Sequence, residues 1–404
     1  MRMLVALSFV FVAYQMVVRI FFGVMVDDIM NLFNMSLSLV GIAAGVYYFS
    51  FALSSIITGL LFMRYNFISV MIWGNVMMLI GLICYIMPDN GVLGAILGRF
   101  LVGVGSGMSL PFYLKVFSLF YNASYIKILV NYVFLNCMVT LSLSLYFIKP
   151  YYNIAYGYYD MVYAFIGISV IIILLLFISY LRCGVRRNDT IINMTDAIKC
   201  VKDYRVLLLS FICGLFAGSP DAFSDLWSLM FFEKCCNIVC SENIMIFFWL
   251  SYAVSGFVVQ YIYKSVNLNI IRYMQYIGIT IICIYLLFFI LAYCNDCSDE
   301  MRIYLMILLV IVLALCCGYK PFVFGNIRVF FDKNNLSQFV VVLVNAFCMF
   351  FGQIFHIVIG CILDHCLLYL PVQASYIISL SIIPLSALIG MLLLSVFEKK
   401  YLDS

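Results

Sequence analysis

The sequence predicts an all-α membrane protein of twelve transmembrane helices arranged as two six-helix bundles. Three observations carry this prediction. Of 404 residues, 67% are hydrophobic and only 10% are charged. Apolar runs of membrane-crossing length recur twelve times along the chain. The longest polar stretch falls between the sixth and the seventh run.

A soluble domain is about half apolar and roughly a quarter charged. A chain this apolar cannot cover its own surface with polar groups, so lipid must be the solvent for most of it. About 20 mostly apolar residues are needed to cross a bilayer as a helix. In order, the runs are 3–26, 38–62, 68–88, 91–115, 126–148, 157–182, 206–232, 242–263, 270–294, 302–327, 337–363 and 374–396. The first, MRMLVALSFVFVAYQMVVRIFF, begins like a signal peptide. It lacks a small-residue cleavage site and is too long for an h-region, so it is read as an uncleaved first span. The joints that follow are short and rich in Asn, Asp, Gly or Pro, as in Pro88-Asp89-Asn90-Gly91 and Asp332-Lys333-Asn334-Asn335. Backbone groups in lipid must be satisfied within the segment, so these runs are helices. A barrel would show alternation instead. Residues 183–205 divide the chain into an N-terminal bundle (1–182) and a C-terminal bundle (206–404). Within that linker, Thr195 would cap a short surface helix carrying Ala197, Val201 and Tyr204 on one face.

Lys and Arg set the orientation. With the N-terminus inside, sixteen of them fall in cytoplasmic segments, three (Lys149, Lys234, Arg302) in outer loops, and three (Arg19, Arg99, Lys320) within spans. Twelve crossings then place both termini in the cytoplasm. Acidic residues gather outside, among them Asp27, Asp28, Glu233 and Asp364.

Sixteen Cys are present, and most lie inside apolar runs, where a free Cys behaves as a small hydrophobe. Cys235, Cys236 and Cys240, and separately Cys294 and Cys297, lie near outer loops, where pairing is left open. No Cys/His spacing resembles a zinc site. The sequence therefore calls for no metal and no cofactor. It contains no HExxH, no nucleophile elbow, no acid/base carboxylate pair and no GxxxxGK loop. An enzyme and a directly ATP-driven pump are both disfavoured, and nothing suggests a nucleic-acid partner.

Charges at membrane depth are costly unless paired or hydrated, which makes each one a functional candidate. Arg19 in span 1 and Asp221 in span 7 lie at similar depth, roughly 22 to 24 Å from the inner surface at 1.5 Å per residue. Asp221 and Asp225 are one helical turn apart and share a face. Lys320, just before Pro321 near the inner end of span 10, either snorkels to the interface or faces the interior. Counting Arg19, Arg99 and Lys320 against Asp221 and Asp225, the interior is net positive by one, which favours an anionic or zwitterionic solute over a cation. His356 in span 11 is expected to be a packed polar residue rather than a proton relay. Tyr47, Tyr48 and Trp227 are placed near a cavity, because polar tips at mid-depth need partners. Gly214, Gly218 and Pro220 should bend span 7, either as a moving part or as a static packing kink.

Two local motifs carry a resemblance. Span 4 reads Gly98-Arg99-Phe100-Leu101-Val102-Gly103-Val104-Gly105-Ser106-Gly107, an Arg followed by closely spaced glycines, and Gly103 and Gly107 form a small-xxx-small face. The loop after span 2 places Gly59 and Arg64 at the spacing of a Gly-(x)-Asp-Arg-(x)-Gly pattern, with Met63 where the Asp is expected and Asn66 where the second Gly is. With the twelve-span plan, the chain resembles the major facilitator superfamily. Segments around Arg19 and Val24 to Asp27, Gly45 to Phe51, Leu110 to Tyr121 and Pro220 to Trp227 resemble a branch common in intracellular bacteria, some of whose relatives handle amino acids or short peptides.

The resemblance implies a bacterial inner-membrane carrier, acting as a monomer by alternating access. Spans 1 and 7 would pack together near the outside, and spans 1, 4, 7 and 10 would line the cavity. Arg19 would then pair with Asp221 or Asp225 when the outer face is closed, or form a static structural pair. Arg99 would hold a substrate carboxylate or phosphate, or stabilise the fold. Asp221 and Asp225 are the candidates for proton coupling. An amino acid or short peptide is the expected cargo. The alternatives are an organic anion or phosphate-bearing solute and, outside transport, a sensor or scaffold on the same fold.

Overall fold

The computed structural model describes residues 2–401 apart from 63, 88–90, 120–124, 155–156, 184–200, 239–240, 267–268, 294–298 and 328–336. Of the surface helix expected in the central linker, Thr195 and Ala197 lie outside the described residues, as does the pairing of Cys240, Cys294 and Cys297; Tyr204, expected on that helix, instead opens span 7 after the Asp203 cap.

Twelve helices are long and apolar enough to cross a membrane: span 1 Met3–Val24, span 2 Leu37–Leu61, span 3 Phe67–Tyr85, span 4 Gly91–Phe117, span 5 Ile128–Ile148, span 6 Tyr158–Arg182, span 7 Tyr204–Cys235, span 8 Ser241–Val266, span 9 Ile270–Tyr293, span 10 Glu300–Gly325, span 11 Phe339–Cys366 and span 12 Val372–Glu398. No strand occurs among the described residues. The end of the molecule at which span 1 begins is called the near face, and the opposite end the far face.

Exposure separates central from peripheral spans. In span 7, 83% of the most apolar window is buried, against 28% in span 6. Spans 6, 9 and 12 expose large apolar residues such as Leu174, Leu286 and Leu392 along their length, as lipid-facing helices do. Trp73 at 65% exposure is likewise on the outer surface.

Small residues bring the helices together. An added Cβ at Gly81 of span 3 would lie 2.7 Å from the Gly98 carbonyl oxygen of span 4, so no larger residue fits. The glycines of span 4 serve two neighbours. Gly98 and Gly105 meet span 3 at Gly81 and Gly74, whereas Gly103 and Gly107 meet span 2 at Tyr47, Ser50, Phe51 and Ser54. Close backbone approach replaces the hydrophobic drive that lipid cannot supply between helices. Gly41 and Gly45 of span 2 lie against His356, Gly360 and Gln353 of span 11 in the same manner. Gly59 faces the ring of Phe339 in span 11, and Arg64 follows on the exposed turn.

Four spans are broken. Span 4 turns at Met108 and span 10 at Gly318, which are seventeen and eighteen residues after the first residue of each span. These two spans stand in the same place in the first and last six, so the break recurs with the repeat. Span 12 is interrupted at Ser381. Span 7 is α-helical from Tyr204 to Ala222 and then passes through two π-turns, Phe223–Trp227 and Phe231–Cys235. The first π-turn begins three residues after Pro220, past Asp221 and Ala222 of the α-helix. Proline removes a ladder donor and crowds the carbonyl of Phe216 four residues back, which loosens the turn before it; the π-turns lie on its other side.

Candidate functional site

Arg19, Asp221, Asp225 and Lys320 are all buried and meet between the first six spans and the last six. The Arg19 Nε donates to Asp225 Oδ2 at 2.6 Å, and its Nη2 donates to the Tyr48 hydroxyl at 2.6 Å. The Tyr48 hydroxyl in turn donates to Asp225 Oδ2. This triangle joins spans 1 and 2 to span 7. One turn earlier on span 7, Asp221 accepts from Lys320 Nζ of span 10 at 2.8 Å. Of the two carboxylates anticipated as partners for Arg19, Asp225 makes the contact, and Asp221 is held inside the last six spans. Asp225 lies within the π-turn Phe223–Trp227, whereas Asp221 lies in the α-helix before it. Lys320 does not snorkel. It is 4% exposed and reaches into the interior from the helix that restarts after Gly318.

A cavity of about 40 Å³ lies on the near-face side of the Arg19–Asp225 pair. Arg19, Asp221 and Lys320 line it, together with the amides of Gln15 and Asn345. Its apolar wall includes Phe134, Met138, Trp249 and Met349. A cavity this size holds a few waters, whereas a bound small molecule occupies roughly 300 Å³ or more, so the conformation is contracted around its centre. Tyr47, Tyr48, Arg99, Asp225 and Trp227 do not line this cavity. They pack on its far-face side.

Arg99 is 3% exposed and is sandwiched between rings, with its guanidinium carbon 4.2 Å from the Phe22 ring centre and 4.5 Å from that of Tyr47. Cation–π attraction accounts for that position. Its Nε and Nη1 have no hydrogen-bond partner among the described residues. The Tyr47 hydroxyl donates to Gln15 Oε1 at 3.4 Å. The Trp227 and Trp249 indole nitrogens, both nitrogens of His356 and Asp225 Oδ1 are also without partners among the described residues.

The far face is closed by two further links between the first and last six spans. Asp364 of span 11 accepts from the Ser38 amide at 3.0 Å and from the Ser38 hydroxyl at 2.6 Å. A carboxylate there satisfies orphan donors at the first turn of span 2 and suits its helix dipole. Lys234 pairs with Asp27 at 3.3 Å on the exposed rim.

Sequence reasoning missed Gln15, Asn345 and Trp249 at the cavity. Gln15 and Asn345 are uncharged polar residues inside apolar runs, a signal available in the sequence. Nothing local marked Trp249.

The family model described as Major Facilitator Superfamily matches residues 7–319, more than half of the chain. The chain belongs to the Major Facilitator Superfamily. As a superfamily member it is a multi-pass membrane protein and a secondary transporter of small molecules. The match takes in span 1 through the break in span 10, and so includes Arg19, Arg99, Asp221 and Asp225. A comparison with curated proteins found no match.

Proposed function

We propose that the chain carries a zwitterionic solute, an amino acid or short peptide, by alternating access between two bundles joined by residues 183–205. The observation that carries this reading is the cavity lining. Charges of both signs (Arg19, Lys320 and Asp221) and two amides face one small space between spans of the two bundles, opposite an apolar wall. A substrate carboxylate would meet Arg19 or Lys320, its ammonium group Asp221, and its side chain the wall of Phe134, Met138 and Met349. Charge-assisted contacts fix orientation, and apolar contact adds affinity. The Arg19–Tyr48–Asp225 triangle acts as the far-side gate. Asp221 and Asp225 are the carboxylates through which a proton gradient would couple. With the near face cytoplasmic, as the Lys and Arg distribution supports, this conformation is the one closed to the outside.

A second cargo, an organic anion or phosphate-bearing solute, is favoured by the net positive interior and by the two unpartnered donors of Arg99. Uptake into proteoliposomes separates the readings. Labelled amino acids and dipeptides are compared with dicarboxylates and sugar phosphates, with and without a pH gradient. The zwitterion reading expects amino-acid or dipeptide uptake that falls at least tenfold in Lys320→Gln. Accumulation of only the anions would replace it with the second cargo. Absence of uptake for every solute would favour a sensor or scaffold.

A further inference from the structure

His356 sits at 0% exposure in span 11, and neither ring nitrogen has a hydrogen-bond partner among the described residues. A buried polar group left unpaired costs free energy, so its retention there needs a reason. Its surroundings are divided between the bundles. From the first six spans comes the Tyr48 ring, centred 4.9 Å from the imidazole, with the Arg19 guanidinium carbon 5.1 Å from that ring and the Arg99 guanidinium carbon 4.5 Å from the ring of Tyr47. Tyr47 packs edge-on against Tyr48 behind them. From span 7 come the Trp227 ring at 6.4 Å and, across the Tyr48 hydroxyl, the carboxylate of Asp225.

Separation of the bundles at the far face changes that balance in one direction. Arg19, Arg99, Tyr47 and Tyr48 leave with the first six spans. His356 and Asp225 stay together in the last six. Asp225 then loses its cation and its hydroxyl donor, and its Oδ1 is already free of partners among the described residues. In the closed arrangement an imidazolium would have two guanidiniums behind the Tyr48 and Tyr47 rings and no acceptor among the described residues. In the open arrangement it would have a carboxylate and no competing cation.

We propose that His356 is a proton-binding site that is occupied only when the far face opens, the proton taking the place of Arg19 beside Asp225. The proton comes from far-face water onto an imidazole nitrogen and returns when Arg19 re-forms its pair. Because the open state binds the proton and the closed state does not, lowering the pH shifts the population toward the open state. The proposal rests on the alternating-access reading above, and it moves the coupling proton from the carboxylates to the imidazole.

The chain has only two His, so His365→Asn, on the exposed end of span 11, leaves His356 as the sole imidazole. The purified, full-length variant in detergent is followed from pH 8.5 to 5 by NMR of labelled histidine. Hydrogen exchange of the far-face ends of spans 2 and 11, corrected for the intrinsic pH effect on exchange rates, is measured in parallel. The expected result is that the imidazole protonates and the far-face exchange rises several-fold about one common midpoint, between about 6 and 7. His356→Gln is expected to abolish the midpoint in exchange while leaving exchange at pH 8.5 within about twofold. An exchange midpoint that survives His356→Gln, or an imidazole that stays neutral to pH 5, overturns the proposal. Neither readout needs a transported solute. A protein that passes this test yet moves nothing in the proteoliposome panel would refute the carrier reading and leave the proton site standing.

Discussion

At the scale of residues, the interior is governed by two ion pairs that share one helix. Breaking a buried pair by removing one partner costs about 3–5 kcal/mol, because the other charge is left without compensation. Asp225→Asn strands Arg19, and Lys320→Gln strands Asp221. The two variants should nevertheless differ. Lys320→Gln breaks a contact within the last six spans, so it should lower the thermal unfolding midpoint in detergent. Asp225→Asn breaks a contact between the first and the last six spans, so it should also raise hydrogen exchange at the far face. The double exchange Arg19→Asp with Asp225→Arg should recover part of that protection, whereas either single charge reversal should not. A swap that restores nothing would mean that the Tyr48 hydroxyl and the local geometry, rather than charge complementarity, hold the gate. Tyr48→Phe isolates the hydroxyl. It removes bonds to two charged groups, each worth about 1.5–3 kcal/mol, and should open the far face without changing any charge.

At the scale of elements, span 7 is the part that the sequence leaves least regular and the fold encloses most. Gly214, Gly218 and Pro220 weaken its ladder, and the π-turn at Phe223–Trp227 follows. Asp225 sits within that turn and meets Arg19, whereas Asp221 before it is taken by Lys320. Pro220→Ala restores the backbone donor. It is expected to stabilise the helix while slowing any step that needs the bend, seen as a higher unfolding midpoint with lower uptake of whichever solute the panel identifies. An uptake rate equal to that of the unaltered chain would reduce the bend to packing. Span 1 offers the opposite perturbation. A Cβ at Gly23 would run into the Asp225 carbonyl oxygen. Gly23→Ala should therefore force spans 1 and 7 apart and increase exchange at their far ends. The glycines of span 4 have a different role, since Gly98, Gly103, Gly105 and Gly107 fix neighbours within the first six spans. Gly105→Val should reduce the yield of folded protein rather than bias the gate.

At the scale of the whole molecule, the two sets of six spans meet toward both faces: Asn131 of span 5 lies against Gly256 of span 8, and Gly59 of span 2 against Phe339 of span 11, near the near face. The charged and polar links Arg19–Asp225, Ser38–Asp364 and Asp27–Lys234, and the contacts of Gly41 and Gly45 with span 11, lie toward the far face. The central space is left as a small cavity on the near side. Twelve crossings put the two termini on one face, and the proposal that this face is cytoplasmic rests on the distribution of Lys and Arg. Reporter fusions at each terminus, read in cells, should both give the cytoplasmic signal. Opposite signals would require an odd number of crossings and would undo the two-bundle arrangement.

The number, order and limits of the spans follow from the sequence, because lipid imposes a length and a polarity that a local run either meets or does not. The identity of the interior charges follows as well, since few ionisable residues lie far from a polar joint. The weak ladder of span 7 was legible in Pro220 and its glycines. Tertiary structure alone decided how the charges pair. Lying one turn apart on one face of span 7, Asp221 and Asp225 had the same claim on Arg19, and the reach of Lys320 across from span 10 to Asp221 left Asp225 as its partner. It also decided that His356 faces the gate and that Arg99 lies between two rings. These outcomes depend on which helices come within a few ångströms of each other, and a single run of sequence carries no record of its neighbours.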